Sequence, residues 1–377
     1  MLTFAKPAEY CAMPRFPRLD SRRTSGQSAR AKRDNSGIKN WDPRSGRQIA
    51  GDGISGPRVR QRPCRPVLAA LTLLALLSGP LAAQTPRRIP PEQITLTTKD
   101  GVQLRITYYA STAGVEAVPV VMLHDFNETR SVFEPLALAL QNPPRPASGA
   151  VGTPPPMAPR AVVTVDLRGH GQSKTAFDAG GGGVKLDASR FETADFQDMV
   201  LQDMETVRSF LVERNDAGQL NLNKLCLVGA GMGANVAVLW AAKDWATPPL
   251  PLRKQGQDVQ ALVLLSPRWN YRGLELNEAL KFPPIRQQLS VYLAYGERDP
   301  KVAKDCDNIL KIFERYHPEP PRDQVLTLKD LYFFAPETNL QGTKLLNSRA
   351  FALEPKIINF IEARLGRVDF PYVPRKK

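Results

Sequence analysis

The chain has 377 residues, 42% of them hydrophobic, and a formal net charge of +14 at pH 7. This length allows one large domain with extra segments, or two ordinary domains. Residues 1–83 contain 15 Lys and Arg against 5 Asp and Glu, so they carry +10 of the +14. The rest of the chain is nearly balanced and has no dense basic stripe interleaved with aromatic residues, which argues against nucleic-acid binding.

The first 57 residues differ in composition from everything that follows them. They are rich in Arg, Ser, Gly and Pro and show little periodicity, which predicts a disordered basic leader at 1–57. Signal peptides rarely carry so long an extension in front. A mis-assigned start codon is therefore the alternative, and Val59 is one candidate for the true start.

Residues 58–83 have the pattern of a secretory signal peptide. Arginines precede an apolar run from Val67 to Leu77, and the small residues Ala82 and Ala83 follow it. We therefore expect cleavage after Ala83 and export to the periplasm or the extracellular space. The run with its flank barely reaches the length that spans a bilayer, so an uncleaved membrane anchor through 67–83 is the alternative.

Strand and helix patterns alternate after a linker at 84–92, through a predicted domain at 93–366 that a C-terminal tail at 367–377 follows. Continuous apolar runs predict strands covered on both faces, and apolar residues at helical spacing predict helices. In chain order the elements are a hairpin around Asp100-Gly101, a strand at 118–124, a helix at 131–141, a Pro- and Gly-rich loop at 143–160, strands at 161–166 and 224–229 on either side of a helix at 194–214, a helix at 234–243, strands at 259–267 and 289–299, a helix at 305–316, a last strand at 323–330 and a helix at 354–365.

Such alternation predicts an α/β fold: a doubly wound, mostly parallel sheet of about eight strands with helices on both faces and an antiparallel N-terminal edge. The order of the segments also resembles the α/β-hydrolase family over nearly the whole predicted domain. The most specific match is DLRGHGQS, which begins at Asp166 and resembles the family's DxRGxGxS loop after the fourth strand. The resemblance implies a structural role for Asp166, Gly169 and Gly171, because the glycines let the backbone turn tightly. We interpret His170 in this loop as a packing residue.

Two further motifs imply an oxyanion hole. The segment LHDFN resembles the turn from which family members donate a backbone N–H to the oxyanion, and Phe126 occupies the donor position. The second donor implied by the resemblance is Met232. Asp125 stands where glycine is common, and it places a carboxylate near a site that normally holds negative charge. We expect these two donors to be able to bind an anion or a carbonyl group.

The segment VGAGMGANVA lies at the strand-to-helix turn where the family has the elbow motif GxSxG. Gly229 and Gly233 match the flanking glycines, and Gly231 occupies the position of the nucleophile. Glycine offers no nucleophilic atom. It also adopts the strained backbone of the elbow freely, whereas a residue with a side chain pays ~1–3 kcal/mol there.

The chain matches the family's triad at the position of the acid but not at the position of the base. Asp299 in YGERDP matches the acid, but Gln341 in QGTKLL takes the place of the histidine in a pattern like HGxxLL. Glutamine cannot take up a proton near neutral pH, which general-base catalysis requires. The chain's three histidines are His124, His170 and His317, and none of them occupies this position. No intact triad is therefore expected.

The resemblance and these losses together predict an exported α/β-hydrolase-like protein that binds a small molecule or a protein and does not catalyse. One alternative is an active esterase with a non-standard nucleophile, for which Ser173 and Ser266 are exposed candidates without an identified base. Another is a dinucleotide-binding protein, because Gly229, Gly231 and Ala234 form GxGxxA. However, this turn follows at least four strands, and the expected ribose-binding acid is absent.

No cofactor and no metal are expected. The predicted domain contains Cys226 and Cys306, and two such residues make neither a disulfide framework nor a metal site. Cys226 lies in a strand-like apolar run, where a small buried thiol is the usual occupant. The sequence leaves open the ligand, the partner and the oligomeric state.

Overall fold

The computed structural model describes residues 89–143, 156–177, 180, 182–248, 250, 251 and 253–375. The predicted leader, the signal segment and most of the predicted loop at 143–160 lie outside these residues. Within them, every helix is too short or too polar to cross a bilayer.

The strands and helices follow the predicted alternation. The strands are β1 (Glu92–Thr97), β2 (Gln103–Tyr109), β3 (Pro119–Leu123), β4 (Ala161–Asp166), β5 (Thr175–Phe177), β6 (Gly183–Lys185), β7 (Leu225–Ala230), β8 (Val259–Leu265), β9 (Asn270–Tyr271), β10 (Leu274–Glu275), β11 (Ser290–Ala294) and β12 (Leu331–Phe334). The α-helices are α1 (Glu134–Gln141), α2 (Thr193–Asp198), α3 (Met204–Asp216), α4 (Met232–Ala246), α5 (Asn277–Lys281), α6 (Pro283–Gln287), α7 (Pro300–Glu314), α8 (Val325–Leu328), α9 (Gly342–Leu346) and α10 (Leu353–Ile361).

Eight of these strands form one sheet in the order β1-β2-β4-β3-β7-β8-β11-β12. The strands β1 and β2 run antiparallel at one edge, and the pairs from β4 to β12 are parallel. Every residue of β3, β4 and β7 is buried, since hydrophobic clusters cover the two faces of the sheet. The predicted fold class is confirmed.

The predicted helix at 194–214 is one nearly continuous helical segment, in which a single π turn at Met199–Asp203 joins α2 to α3. The apolar positions that predicted it are all buried: Phe196, Val200, Met204, Val207 and Leu211. Helical spacing therefore identified the face that packs on the sheet.

The prediction of a strand at 323–330 is wrong. A 3₁₀ turn and α8 occupy this stretch, and the edge strand is the following segment LYFF, which pairs with β11. A short apolar run does not distinguish strand from helix. The aromatic residues of LYFF favour the strand, and Tyr332 stacks on Tyr292 of β11 at 6.2 Å between ring centroids.

The C-terminal tail is held against the domain by asparagine side chains that donate to its carbonyl groups. Asn221 donates to Phe370 at 2.8 Å and Asn215 donates to Val373 at 3.1 Å. Beyond them, the Arg375 guanidinium lies 2.7 Å from the buried carboxylate of Asp258. The tail as far as this arginine is therefore an integral part of the fold.

Candidate functional site

A sharp turn joins β7 to α4 at the carboxyl ends of the parallel strands. Its central residue, Gly231, has φ 48° and ψ −113°, a region that residues with side chains rarely adopt. Its N–H donates to the carbonyl of Leu265 at 2.8 Å, which anchors the turn to β8. The backbone therefore has the shape of a nucleophile elbow, and the tip carries no side chain.

The flanking glycines allow the helix to approach the sheet closely. A Cβ on Gly229 would overlap the backbone of Gly233, and a Cβ on Gly233 would overlap the carbonyl of Leu123 in β3. Neither position has room for even a methyl group without movement of backbone. Packing alone is sufficient reason for both glycines.

The carboxylate of Asp125 fills the space in front of the elbow. A Cβ added to Gly231 would overlap all three carboxyl atoms of Asp125. One oxygen of this carboxylate accepts the N–H of Phe126 at 2.7 Å and the N–H of Met232 at 2.8 Å. The chain's own carboxylate therefore occupies both donors of the predicted oxyanion hole.

Asp125 gains favourable contacts at this position, and it also loses hydration. The Met232 donor is the first N–H of α4, where the helix dipole favours negative charge. Burial nevertheless raises the pKa of the Asp125 carboxyl, and the two amide donors and the charges of Arg268 and Lys344 offset this effect only in part.

Glu128 connects Asp125 to the start of α9, the helix that follows β12. It accepts the N–H of Asp125 at 3.1 Å, and its other carboxyl oxygen accepts the hydroxyl of Thr343. The neighbouring Gly342 is so close that a Cβ on it would lie 3.9 Å from Asp125 Oδ2 and 3.9 Å from Gly231 N. Three loops thus converge at the elbow, as they would around a triad.

Gln341 joins two strand ends. Its Oε1 accepts the hydroxyl of Ser266 after β8 at 2.6 Å and the N–H of Gly296 after β11 at 3.1 Å. Its Nε2 donates to the Gly296 carbonyl at 2.7 Å. Asp299 caps α7 instead, since its carboxylate accepts the N–H groups of Lys301 and Val302, each at 3.1 Å. Gln341 and Asp299 therefore have structural roles at the positions that the sequence resemblance assigns to the base and the acid of a triad.

The prediction that Ser173 and Ser266 are exposed is wrong. Ser173 is fully buried, where its hydroxyl donates to Asp166 O at 2.7 Å and accepts the N–H of Arg105 at 2.8 Å. Ser266 is 3% exposed; its hydroxyl donates to Gln341 and accepts the N–H of Gly342 at 2.8 Å. Both hydroxyls hold loops together at strand ends and are not presented to a substrate.

The loop after β4 turns around a second buried carboxylate, that of Asp166. It accepts the N–H groups of Arg130 at 2.7 Å and Gln172 at 2.9 Å, and it forms an ion pair with the Arg130 guanidinium. Gly171 has φ 50°, and a Cβ on it would overlap this carboxylate; Gly169 has φ 75°. The two glycines therefore serve the backbone of the turn.

Comparison with known proteins agrees with this geometry. Residues 158–311, which include β4, the elbow, β8 and β11, match the family model described as serine aminopeptidase, S33. The match covers the elbow, and the order of strands places the elbow at the centre of the sheet.

The chain has the α/β-hydrolase fold.

Among solved structures, the esterase Pf2001 of Pyrococcus furiosus is 12% identical, with 73% of this chain and 93% of that chain covered and a TM-score of 0.47. A thermostable carboxyl esterase from Bacillus coagulans is 13% identical, with 74% and 99% covered and a TM-score of 0.49. A putative α/β hydrolase from Agrobacterium tumefaciens is 13% identical, with 73% and 96% covered and a TM-score of 0.45. A search of curated proteins gives no significant sequence match.

The histidines of this α/β-hydrolase-fold chain are engaged in packing and loop contacts. His124 donates from Nδ1 to Asp125 O at 2.7 Å and accepts the N–H of Leu167 at Nε2, 3.1 Å away. Burial and the neighbouring His170 lower the pKa of His124 to about 4. His170 is buried 5.3 Å from the ring of Phe126, and His317 lies beside Asp330. All three imidazoles are therefore buried, and none of them occupies the position of Gln341.

The Asp125 carboxylate opposes dinucleotide binding at the turn that joins β7 to α4 in this α/β-hydrolase fold. A pyrophosphate needs the free N–H groups at the start of a helix, and Asp125 occupies the first N–H of α4. The phosphate would also meet a negative charge at the point of closest approach.

Sequence reasoning missed two features of the site. It placed the Asp125 carboxylate near the oxyanion hole but not inside it, and it did not single out Glu128. One signal was available: an aspartate replaces a common glycine in one loop, while a glycine replaces the nucleophile in the adjacent loop. A gain of volume that faces a loss of volume predicts that one side chain fills the space of the other.

Proposed function

We propose that this chain is an exported α/β-hydrolase-fold protein that binds a small molecule or a protein and does not catalyse hydrolysis. The observation that carries the proposal is the Asp125 carboxylate, which occupies both oxyanion donors and the space of a nucleophile at Gly231. Acyl transfer needs an attacking atom and free donors for the developing negative charge. Here the attacking atom is missing and the donors are already satisfied.

The contacts of Gln341 support the proposal from the side of the base. A general base must reach the nucleophile and accept its proton. The Gln341 amide instead donates to and accepts from Gly296 and accepts from Ser266. Gln341 therefore holds two strand ends together, and its side chain cannot accept a proton near neutral pH.

An esterase assay on the mature chain tests the proposal. With a fluorogenic short-chain ester, we expect hydrolysis no faster than with a variant in which Ser173 and Ser266 are both alanine. An active serine esterase, assayed in parallel, shows that the substrate is competent. Turnover by the wild type well above that of the double variant would contradict a non-catalytic role.

A second candidate function is an active hydrolase in which Asp125 is the nucleophile, since its carboxylate lies where the elbow side chain would be. When a carboxylate opens an epoxide, it forms an ester bond to one ring carbon as the bond from that carbon to the ring oxygen breaks. Water then protonates the alkoxide, which stays attached to the neighbouring carbon of the adduct. Peptide mass spectrometry after incubation with a small epoxide would find this added mass on Asp125. We expect an unmodified peptide, because the hydrogen bonds from Phe126 and Met232 withdraw charge from the carboxylate and weaken it as a nucleophile.

The proposal includes export of the chain. The signal pattern at 58–83 supports it. Expression of the full chain in a bacterial host, followed by N-terminal sequencing, should give Gln84 as the first residue of the exported form. Retention of the intact N-terminus in the membrane fraction would favour the anchor alternative instead.

A further inference from the structure

A cleft of about 610 Å³ lies over the antiparallel edge of the sheet, within the range of small-molecule pockets. Its floor belongs to β1, β2 and β4, and its wall belongs to the turn before α1 and the loop after β4. The elbow residue Gly231 lies beyond β3, outside this lining. The cleft is therefore separate from the former catalytic position.

The register of the strands places a row of polar side chains on the floor. Gln93 of β1 pairs with Thr107 of β2, and Thr107 pairs with Thr164 of β4. Paired residues lie side by side on the same face of a sheet. Tyr109 lies two residues further along β2 and shares this face. Amide and hydroxyl groups thus line the cleft along three strands.

The positive charge of the one arginine in the cleft lining, Arg130, is already engaged by other protein groups. Arg130 donates from Nε to the hydroxyl of Thr107 at 2.9 Å and from Nη2 to the Gln172 side chain at 2.9 Å. Its remaining terminal nitrogen forms the buried ion pair with Asp166. Glu134 adds an exposed carboxylate at the rim. An anion that entered the cleft would find no unpaired cation among these residues.

Several hydroxyl groups on the lining keep unused hydrogen-bonding capacity. Thr107 accepts from Arg130, so its own O–H is free to donate. The hydroxyls of Thr129 and Ser131 bond to each other at 2.7 Å, which leaves one O–H available. Burial is the main effect that raises the pKa of Tyr109, so its hydroxyl stays a neutral group at pH 7.

Thr164 adds a more specific requirement. It is 1% exposed, and its hydroxyl lies near that of Tyr109 but forms no hydrogen bond of good geometry within the described part of the chain. A buried hydroxyl without a well-formed hydrogen bond is unfavourable. Because Thr164 lines the cleft, a polar ligand on the floor of the cleft would remove this cost.

We propose that the cleft binds a small, uncharged, hydroxyl-rich molecule of the monosaccharide or polyol class. Hydroxyl groups donate and accept, as the amides and hydroxyls of the lining do. An anionic ligand would lose its hydration without gaining a counter-charge and would meet the carboxylate of Glu134 at the rim. This inference rests on the proposed binding role, and it places the ligand over the sheet edge and not at the elbow.

Calorimetric titration of the mature chain with three sugars of matched size tests the class of ligand. The probes are glucose, which is neutral, glucosamine, which is cationic, and glucuronate, which is anionic. We expect saturable binding of glucose and at least tenfold weaker binding of glucuronate. If none of the three sugars saturates, if glucuronate binds as tightly as glucose, or if glucosamine binds more tightly than glucose, the proposal is wrong.

Variants then test the place of binding. The nearly isosteric Thr164→Val removes the buried hydroxyl and should weaken glucose binding about tenfold, the effect of one hydrogen bond. Thr206→Val is the matched control, since the Thr206 hydroxyl donates within its own helix. Gln93→Ala changes an exposed side chain, so it reports on the cleft even if the Thr164 variant does not fold. Unchanged affinity in folded Thr164→Val and Gln93→Ala would overturn the assignment to this cleft.

The esterase assay separates failure of this inference from failure of the proposed function. Ester turnover together with sugar binding would leave the cleft in place and contradict the non-catalytic role. Absence of both activities would remove the cleft proposal and leave the non-catalytic role intact.

Discussion

Two turns at the carboxyl end of the sheet are built in the same way, although one resembles a catalytic elbow and the other a structural loop. Gly231 has φ 48° and wraps around the carboxylate of Asp125, and Gly171 has φ 50° and wraps around that of Asp166. In each turn the carboxylate accepts two backbone N–H groups. The elbow and the neighbouring loop therefore stabilise their shape in the same way, with a buried carboxylate that accepts backbone N–H groups.

The two turns differ in how they compensate the buried charge. Asp166 has a guanidinium partner in Arg130, whereas Asp125 relies on amide donors and on the more distant charges of Arg268 and Lys344. The Asp166 turn therefore contains its own counter-charge. Within the described residues, the elbow offers the Asp125 carboxylate backbone donors and no ion pair.

The largest effect should follow from breaking the compensated turn. Asp166→Ala leaves the buried Arg130 guanidinium without its partner, and such losses cost about 3–5 kcal/mol of unfolding free energy. Urea unfolding of the variant and the wild type measures this loss of unfolding free energy. Asp187→Ala is the control, since Asp187 and Arg190 form an exposed pair, and the loss of this pair should change stability much less than the loss of the buried pair. Equal effects of the two substitutions would remove the contrast drawn here.

The second prediction concerns the space that Asp125 fills. Gly231→Ser places a side chain on top of the carboxylate and forces a strained backbone, so it should cost more than the ~1–3 kcal/mol of strain alone. In an Asp125→Gly background only the strain remains, and the two substitutions should couple by roughly 0.5–3 kcal/mol. A thermodynamic cycle from urea unfolding gives the coupling energy.

Gly218→Ser is the matched control for that cycle. Gly218 also has a positive φ, of 71°, but a Cβ there meets only Val115 at 3.9 Å. This control reports strain without overlap, and its cost should not change when Asp125 becomes glycine. Additive effects of Gly231→Ser and Asp125→Gly would mean that the carboxylate does not compete for the space of the nucleophile.

The third prediction uses this space to restore chemistry. Gly231→Ser with Gln341→His supplies a nucleophile and a base, but Asp125 would still overlap the serine and occupy both oxyanion donors. We expect esterase activity at least about tenfold above background only when Asp125→Gly is added as a third change, a modest share of what oxyanion donors contribute to catalysis. A fluorogenic ester assay on the double and the triple variant measures it. Equal activity in both variants would show that Asp125 does not block the site.

The sequence predicted more of the fold than of the candidate site. Apolar runs and helical spacing identified the buried strands and the face of α2 and α3, because burial on two faces leaves a direct trace in composition. Motif spacing likewise drew attention to Gly231 and Gln341. The edge strand was misplaced because 323–330 and LYFF are both short apolar runs at the periphery, where packing on the neighbouring strand decides which one pairs.

The contacts between loops could not be read from the sequence in the same way. Ser173 and Ser266 follow strands and looked exposed, yet each hydroxyl is covered by a segment far away in the chain. Asp125 was placed near the right site, but its rotamer depends on two N–H groups, one of which lies more than a hundred residues further on. These contacts depend on how distant loops pack together, so no local sequence pattern predicts them.

The smallest expected effect concerns pH, and it distinguishes the two turns through charge alone. Burial raises the folded-state pKa of Asp125 above its ordinary value of 3.8. A raised folded pKa means that the folded chain binds the proton more tightly than the unfolded chain does. The stability that this group contributes is therefore present in full below pH 3.8 and is lost as pH rises through the folded pKa.

Asp125→Asn keeps an oxygen that can accept both N–H groups, and it removes the titration. Relative to the wild type, this variant should gain stability as pH rises from about 4 towards neutrality, because only the wild type pays for a buried charge there. Urea unfolding of both proteins across this range gives the difference directly and cancels the titration of other buried acids. A difference that stays constant, or that changes in favour of the wild type, would mean that the amide donors and nearby charges compensate the buried Asp125 carboxylate in full.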